Sequence, residues 1–214
     1  MKFVADKQTI VLAGAFNPAI LTPQWLARNA LGYADARQFQ VEMHAPVVGI
    51  GGMPRFTFDG ISYAPNFQAV SFFLAGLDTA GRQRVTETIG KVLELLPHTP
   101  MTGLGFNFGF EVEQPAAEMM DYLRANTAMA EALPNGAEIV ARSWANTFSW
   151  QGALVTYQCS LQGTNVSVDA NFHYGVARAE EAQRILQEQN SYAKHFDAAV
   201  AVASALTRQQ LEDA

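Results

Sequence analysis

Residues 103–112 read GLGFNFGFEV, with Leu104, Phe106, Phe108, Phe110 and Val112 alternating with Gly103, Gly105, Asn107, Gly109 and Glu111. Successive side chains of a strand point to opposite faces, so this stretch has one strongly apolar face and one nearly bare face. The first must be buried under another layer. The second, through glycines 103, 105 and 109, lets a backbone or a flat ligand approach closely. The same period of two recurs at 165–174, where Val166, Val168, Ala170, Phe172 and Tyr174 alternate with Asn165, Ser167, Asp169, Asn171 and His173. It recurs again at 38–45, where Phe39, Val41, Met43 and Ala45 alternate with Gln38, Gln40, Glu42 and His44. A sheet apolar on one side and polar on the other is the pattern of antiparallel strands covered on one face by helices.

The turns agree with this pattern. Asp59–Gly60 is a strong signal for a tight hairpin. Gln151–Gly152 and Gln162–Gly163 divide 137–174 into three further strands. A bulge at Pro65–Asn66 is expected to carry one strand on into FQAVSFFLAG, and 46–54, rich in Gly and Pro, reads as an irregular loop. The strand at 137–150 has apolar residues in both registers, which predicts burial on two sides or a bulge.

Helices are expected at about 23–31, with Thr22 as cap and Pro23 first, and at about 79–96, capped by Asp78. Val85, Ile89, Val92, Leu93 and Leu96 form one stripe of the second. A third is expected over 115–125. A last long helix over 178–207 would carry Ile185, Tyr192, Phe196, Val200, Ala203 and Leu206 on one side.

The order strand, short Pro-initiated helix, antiparallel strands, long helix thus occurs twice, in 1–97 and in 98–214. The expected fold class is α+β, an antiparallel sheet with helices on one face, built as a duplicated unit. In element order this resembles the saddle fold of the TATA-binding protein. No residue motif supports the resemblance, so it transfers no functional residue. The alternative is a helix-grip fold, in which one bent sheet wraps the helix at 178–207 around a ligand cavity.

Charge narrows the function. The formal net charge is −6, and the 14 Lys and Arg do not cluster, which disfavours nucleic acid as a partner. One cysteine, Cys159, excludes an internal disulfide and offers no zinc pattern. It alternates with Val155, Tyr157 and Leu161 as a core thiol. The start MKFVADKQTI lacks the apolar stretch of a signal peptide, and no apolar run is long enough for a membrane helix, so a cytoplasmic protein is expected. The charged fraction of 16% is low for a soluble domain and predicts surface buried against a partner protein. Phe72 and Phe73 are adjacent and point opposite ways in a strand, which puts one of them at an interface.

No catalytic or metal-ligating constellation is expected, nor a cofactor. The polar sheet face supplies the candidate binding residues Asn107, Glu111, Arg142, Asp169, Asn171 and His173, with an ion pair expected if Arg142 faces outward beside Asp169. Asp169 and His173 stand about 13 Å apart along their strand, too far for a direct pair. His195 reads as surface or cap packing. The leading expectation is a non-catalytic binding or assembly module that self-associates or joins a larger protein complex. The alternatives are a small-molecule binder or enzyme using the polar face, and a nucleic-acid binder through the sheet.

Overall fold

The computed structural model describes residues 1–33, 41–44, 54–74, 76–124, 132–188 and 191–212. Strands and helices both contribute heavily, and the strand pairs that set Phe3 opposite Phe110, Ile10 opposite Phe72, Met43 opposite Phe56, Phe56 and Phe72 opposite Tyr63, and Trp150 opposite Ala153 are antiparallel. The chain is α+β. It divides into two compact units, one of 5–106 with 173–192 and one of 1–4, 107–172 and 193–214.

In the 5–106 unit the elements are β2 (Thr9–Gly14), α1 (Pro23–Trp25), β3 (Glu42–His44), β4 (Arg55–Phe58), β5 (Ile61–Pro65), β6 (Ala69–Phe73), α2 (Thr79–Leu95), the first half of β7 (Met101–Val112) and α4 (Ala179–Gln187). The strands run in the order β3-β4-β5-β6-β2-β7. Thr22 caps α1, its hydroxyl accepting the Trp25 amide at 3.2 Å. The helix then widens into one π turn, Leu26–Ala30, and ends at Gly32 with φ +73°. Asp78 caps α2 through the Gly81 amide at 2.8 Å, and Val85, Ile89, Val92 and Leu93 are buried as the spacing predicts. Asp59 and Gly60 both take positive φ, the geometry of a two-residue hairpin turn. The strand expected to continue through Pro65–Asn66 instead reverses there. The Asn66 carboxamide oxygen accepts the amides of Gln68 and Ala69, and Pro65 pairs with Val70 across the hairpin. Of 38–45 only 41–44 is described, and the loop expected at 46–54 lies outside the described residues apart from Pro54.

Phe72 is fully buried, its ring stacked on Tyr63 at 5.9 Å. Phe73 is half-buried, and the Arg55 guanidinium lies 3.9 Å over its ring. The inner ring of the adjacent pair is therefore buried within the chain, and the outer ring is partly covered by a cation.

The other unit holds β1 (Lys2–Phe3), the second half of β7, α3 (Ala117–Arg124), β8 (Ala141–Trp150), β9 (Ala153–Gln162), β10 (Asn165–Tyr174, to Phe172) and α5 (Ser191–Thr207, from Ala193). Its strand order is β7-β10-β9-β8, with β1 on β7. Strand β7 has the bounds its alternation predicts. Phe108 and Phe110 are buried, Phe110 edge-on to Phe3 and Phe108 against Phe172 and Phe196. Phe196 belongs to α5, so a helix covers the apolar face of β7. Tyr157 ties the same helix down, its hydroxyl donating to the Ala198 carbonyl at 3.0 Å.

Two expectations fail here. The single helix over 178–207 is two, α4 and α5. Glu188 leaves helical geometry at ψ 133°, and the helices pack in different units, α4 against α2 and α5 against the aromatics of β7 and β10. His195 is not at the surface. It is 2% exposed, with its ring 5.1 Å from Phe172 and 5.7 Å from Trp150.

Burial also sets a pH limit. Tyr192 is pushed up to about 12 and the Cys159 thiol to about 11, in each case chiefly by burial, and burial raises Tyr63 and Tyr157 further. Folded values above unfolded ones stabilise the fold fully below the unfolded values of about 9 to 10, and that contribution is lost as pH rises through the folded values. The urea midpoint should therefore be flat from neutral pH to about 9 and fall steadily above it, measured by fluorescence.

Candidate functional site

The sheet of the 107–172 unit has two chemically distinct faces. Core-side positions Ala153, Val155, Tyr157, Cys159 and Leu161 of β9 are buried, as are Val166, Val168, Ala170 and Phe172 of β10. Apart from the exposed Leu154, the intervening positions carry hydroxyls, amides and one acid, among them Thr156, Gln158, Ser160, Ser167, Asp169 and Asn171. Asn107 and Glu111 of β7 belong to this outer face. The structure brings Asn107 and Asn171 together, the Asn171 amide donating to the Asn107 carboxamide oxygen. Glu111 is exposed and stands opposite Lys2, whose ammonium bonds to Glu113. Asp169 is half-buried, and its charge adds to the rise of the Cys159 thiol. A buried thiol held neutral is a core group and a poor nucleophile.

Arg142 does not join this set. Register places it opposite Leu161, which is 6% exposed and core-side, so Arg142 lies on the face opposite Asp169's. The sequence could not decide this, because 141–150 carries apolar residues in both registers.

His173 belongs to the other unit and has a specific local role. A Cβ built on Gly103 would stand 2.3 Å from Cε1 of the His173 ring. The imidazole fills the space that the missing side chain leaves, so at Gly103 the bare face of β7 is covered by the chain's own residue. Gly103→Ala should destabilise by about 1–2 kcal/mol, and the same change in a His173→Ala background should cost well under half of that. A double-mutant cycle by urea unfolding measures the coupling.

Among the described residues no group of three His, Cys, Asp or Glu side chains is placed to hold a metal ion. No helix there is long and apolar enough to cross a membrane.

The most unusual surface is one that residue-type reasoning passed over. Strand β8 ends the strand order, and among the described residues it pairs with β9 alone. Its ten residues pair without a bulge, from Ala141 opposite Gln162 to Trp150 opposite Ala153. The Gln151–Gly152 turn that closes the hairpin has φ +49° and +82°, the left-handed geometry that gives a straight register. The expected double-sided burial is absent. Ala145, Asn146, Thr147, Phe148 and Ser149 are all exposed, and α3 also lies against the strand. Phe148 is 43% exposed and stacks on Tyr157 at 6.0 Å with a 2° interplanar angle. Edge strands are ordinarily blunted by lysine, proline, a bulge or shortness. β8 contains no lysine or proline, and residues 143–168 carry no Asp, Glu, Lys or Arg at all. That uncharged run was the signal available in the sequence.

No protein-family model matches the chain, and no curated protein or solved structure matches it either.

Proposed function

We propose that this chain is a non-catalytic assembly module, joining itself or a larger protein complex through the outer edge of β8. The observation that carries this reading is the exposed run 145–149 on a long, regular edge strand whose one charged residue, Arg142, lies near its start. Such an edge presents a row of backbone N–H and C=O groups to any strand that adds to it, and alternate side chains then select the partner. The aromatic body of Phe148 and the half-buried Trp144 and Trp150 flank that edge on the core-side face, and aromatic residues are enriched at the centres of protein interfaces. The low overall charge noted in the sequence supports the same reading.

The recurrence of strand, short helix, strands and helix supports a second reading, that the two sequence halves are copies of one ancestral unit. This concerns the origin of the fold and leaves the β8 edge as the contact element.

Light scattering on purified chain, together with purification from the native host, tests the assembly reading. The expected result is a mass above the monomer, or a stoichiometric partner released when lysine is placed in β8. A strictly monomeric mass with no such partner would overturn it.

A further inference from the structure

We infer that the strand added to β8 is the β8 of a second copy of this chain, antiparallel to it about a two-fold axis at Asn146. The inference rests on the assembly reading above and specifies its partner and register.

Charge selects the direction. Arg142, second in the strand, is its one charged residue. Parallel, in-register copies would set the two Arg142 backbones about 4.8 Å apart on adjacent strands, and like charges directly opposed are destabilising. An antiparallel pair centred on Asn146 moves them eight residue steps apart, about 27 Å.

Side-chain chemistry selects the centre. A two-fold axis perpendicular to a sheet pairs residues of the same face, so the axis passes at a residue and not between two. Centred on Asn146, the core-side face sets Trp144 opposite Phe148, Arg142 opposite Trp150, and Asn146 opposite itself. These are an aromatic pair, a cation with an indole, and two amides that each offer a donor and an acceptor. The outer face sets Ala145 opposite Thr147 and Ser143 opposite Ser149, small groups throughout. A centre on Ala145 would set Trp144 against Asn146, and a centre on Thr147 would set Asn146 against Phe148. Each leaves an amide facing a ring.

The arrangement also ends itself. A two-fold contact occupies the same edge in both copies, so it yields a dimer and no fibre. This gives a long edge strand with a single charge a use that does not lead to aggregation.

The experiment places single cysteines at Ser143, Asn146 and Ser149 in a Cys159→Ala background and treats the purified chain with a short bismaleimide. Asn146→Cys should give covalent dimer alone. Ser143→Cys and Ser149→Cys should each remain monomeric on denaturing gels and link only when mixed, since like positions stand about 20 Å apart. Asn146→Lys, at an exposed position, should weaken self-association at least about tenfold by opposing two ammonium groups, with the thermal midpoint unchanged at protein concentrations low enough that both chains are monomeric. A dimer by light scattering whose linking peaks elsewhere, or that Asn146→Lys leaves intact, overturns this inference while the assembly reading stands. A monomer that takes up a different, lysine-sensitive partner at β8 does the same. A monomer with no such partner overturns both.

Discussion

Replacing Phe172 by alanine should lower the unfolding free energy by about 3–5 kcal/mol. Phe172 is 1% exposed at the end of the alternating run in β10. Four rings meet it: Phe108 of β7 at 6.0 Å, Trp150 at the end of β8 at 5.7 Å, Tyr157 of β9 at 6.3 Å and His195 of α5 at 5.1 Å. The dihedral angles between these rings and Phe172 lie between 64° and 84°, edge-on arrangements that each add somewhat to the area buried. Strand residues with a ladder partner cannot collapse into the space, because the backbone hydrogen bonds fix their separation. A cavity therefore persists, and the cost falls in the upper range for a large-to-small change. Phe172→Leu keeps most of the volume and should cost about 1–2 kcal/mol. Urea unfolding with unchanged slope measures both. A cost below about 1 kcal/mol for alanine would mean that the four rings do not form one packed cluster.

Gly14→Ala should be the other severe change, about 2–3 kcal/mol, although it adds a single methyl group. The added Cβ would stand 2.5 Å from the Pro100 carbonyl oxygen and 3.2 Å from Met101 Cα. These are backbone atoms, and they are held. Ala15 donates to the same Pro100 oxygen at 2.8 Å, and Gly14 donates to Gln68 at 2.8 Å. Relief requires breaking one of these bonds or displacing the start of β7. Gly90, inside α2 with nothing within 4 Å of its Cβ position, is the matched control. Gly90→Ala should stabilise by about 0.5–1 kcal/mol, since it removes only the backbone freedom of glycine in the unfolded chain. Opposite signs for one chemical change in one unit would separate close approach from intrinsic propensity. Destabilisation by both would refute that account.

The contrast between Gly14 and Gly103 shows how far a pattern of residues can be read. Both are strand glycines. At Gly14 the neighbour is backbone, while at Gly103 it is the His173 ring, which can rotate away. Alternation in β7 said that one face was bare, and it could not say what would occupy it. The outer-face candidates Asn107, Glu111, Asp169 and Asn171 follow from alternation alone. Arg142 does not join them, because its face depends on register with β9, and alternation could not show that the His173 ring would fill the space at Gly103.

Local chemistry was fully legible where the cause is local. The bounds of β7, the caps at Thr22 and Asp78, the turns at Asp59–Gly60 and Gln151–Gly152, and the burial of Cys159 all follow from neighbours within a few residues. The break at Glu188, the reversal at Asn66, the burial of His195 and the exposure of β8 did not follow, because each depends on which distant element competes for the same apolar surface. By itself the sequence determined which segments are strands or helices and which side of each strand is apolar, since those properties repeat along the chain with the geometry of the backbone. Only the tertiary structure decided that β8 would lie at an edge, because strand order is settled by the packing of segments far apart in the chain.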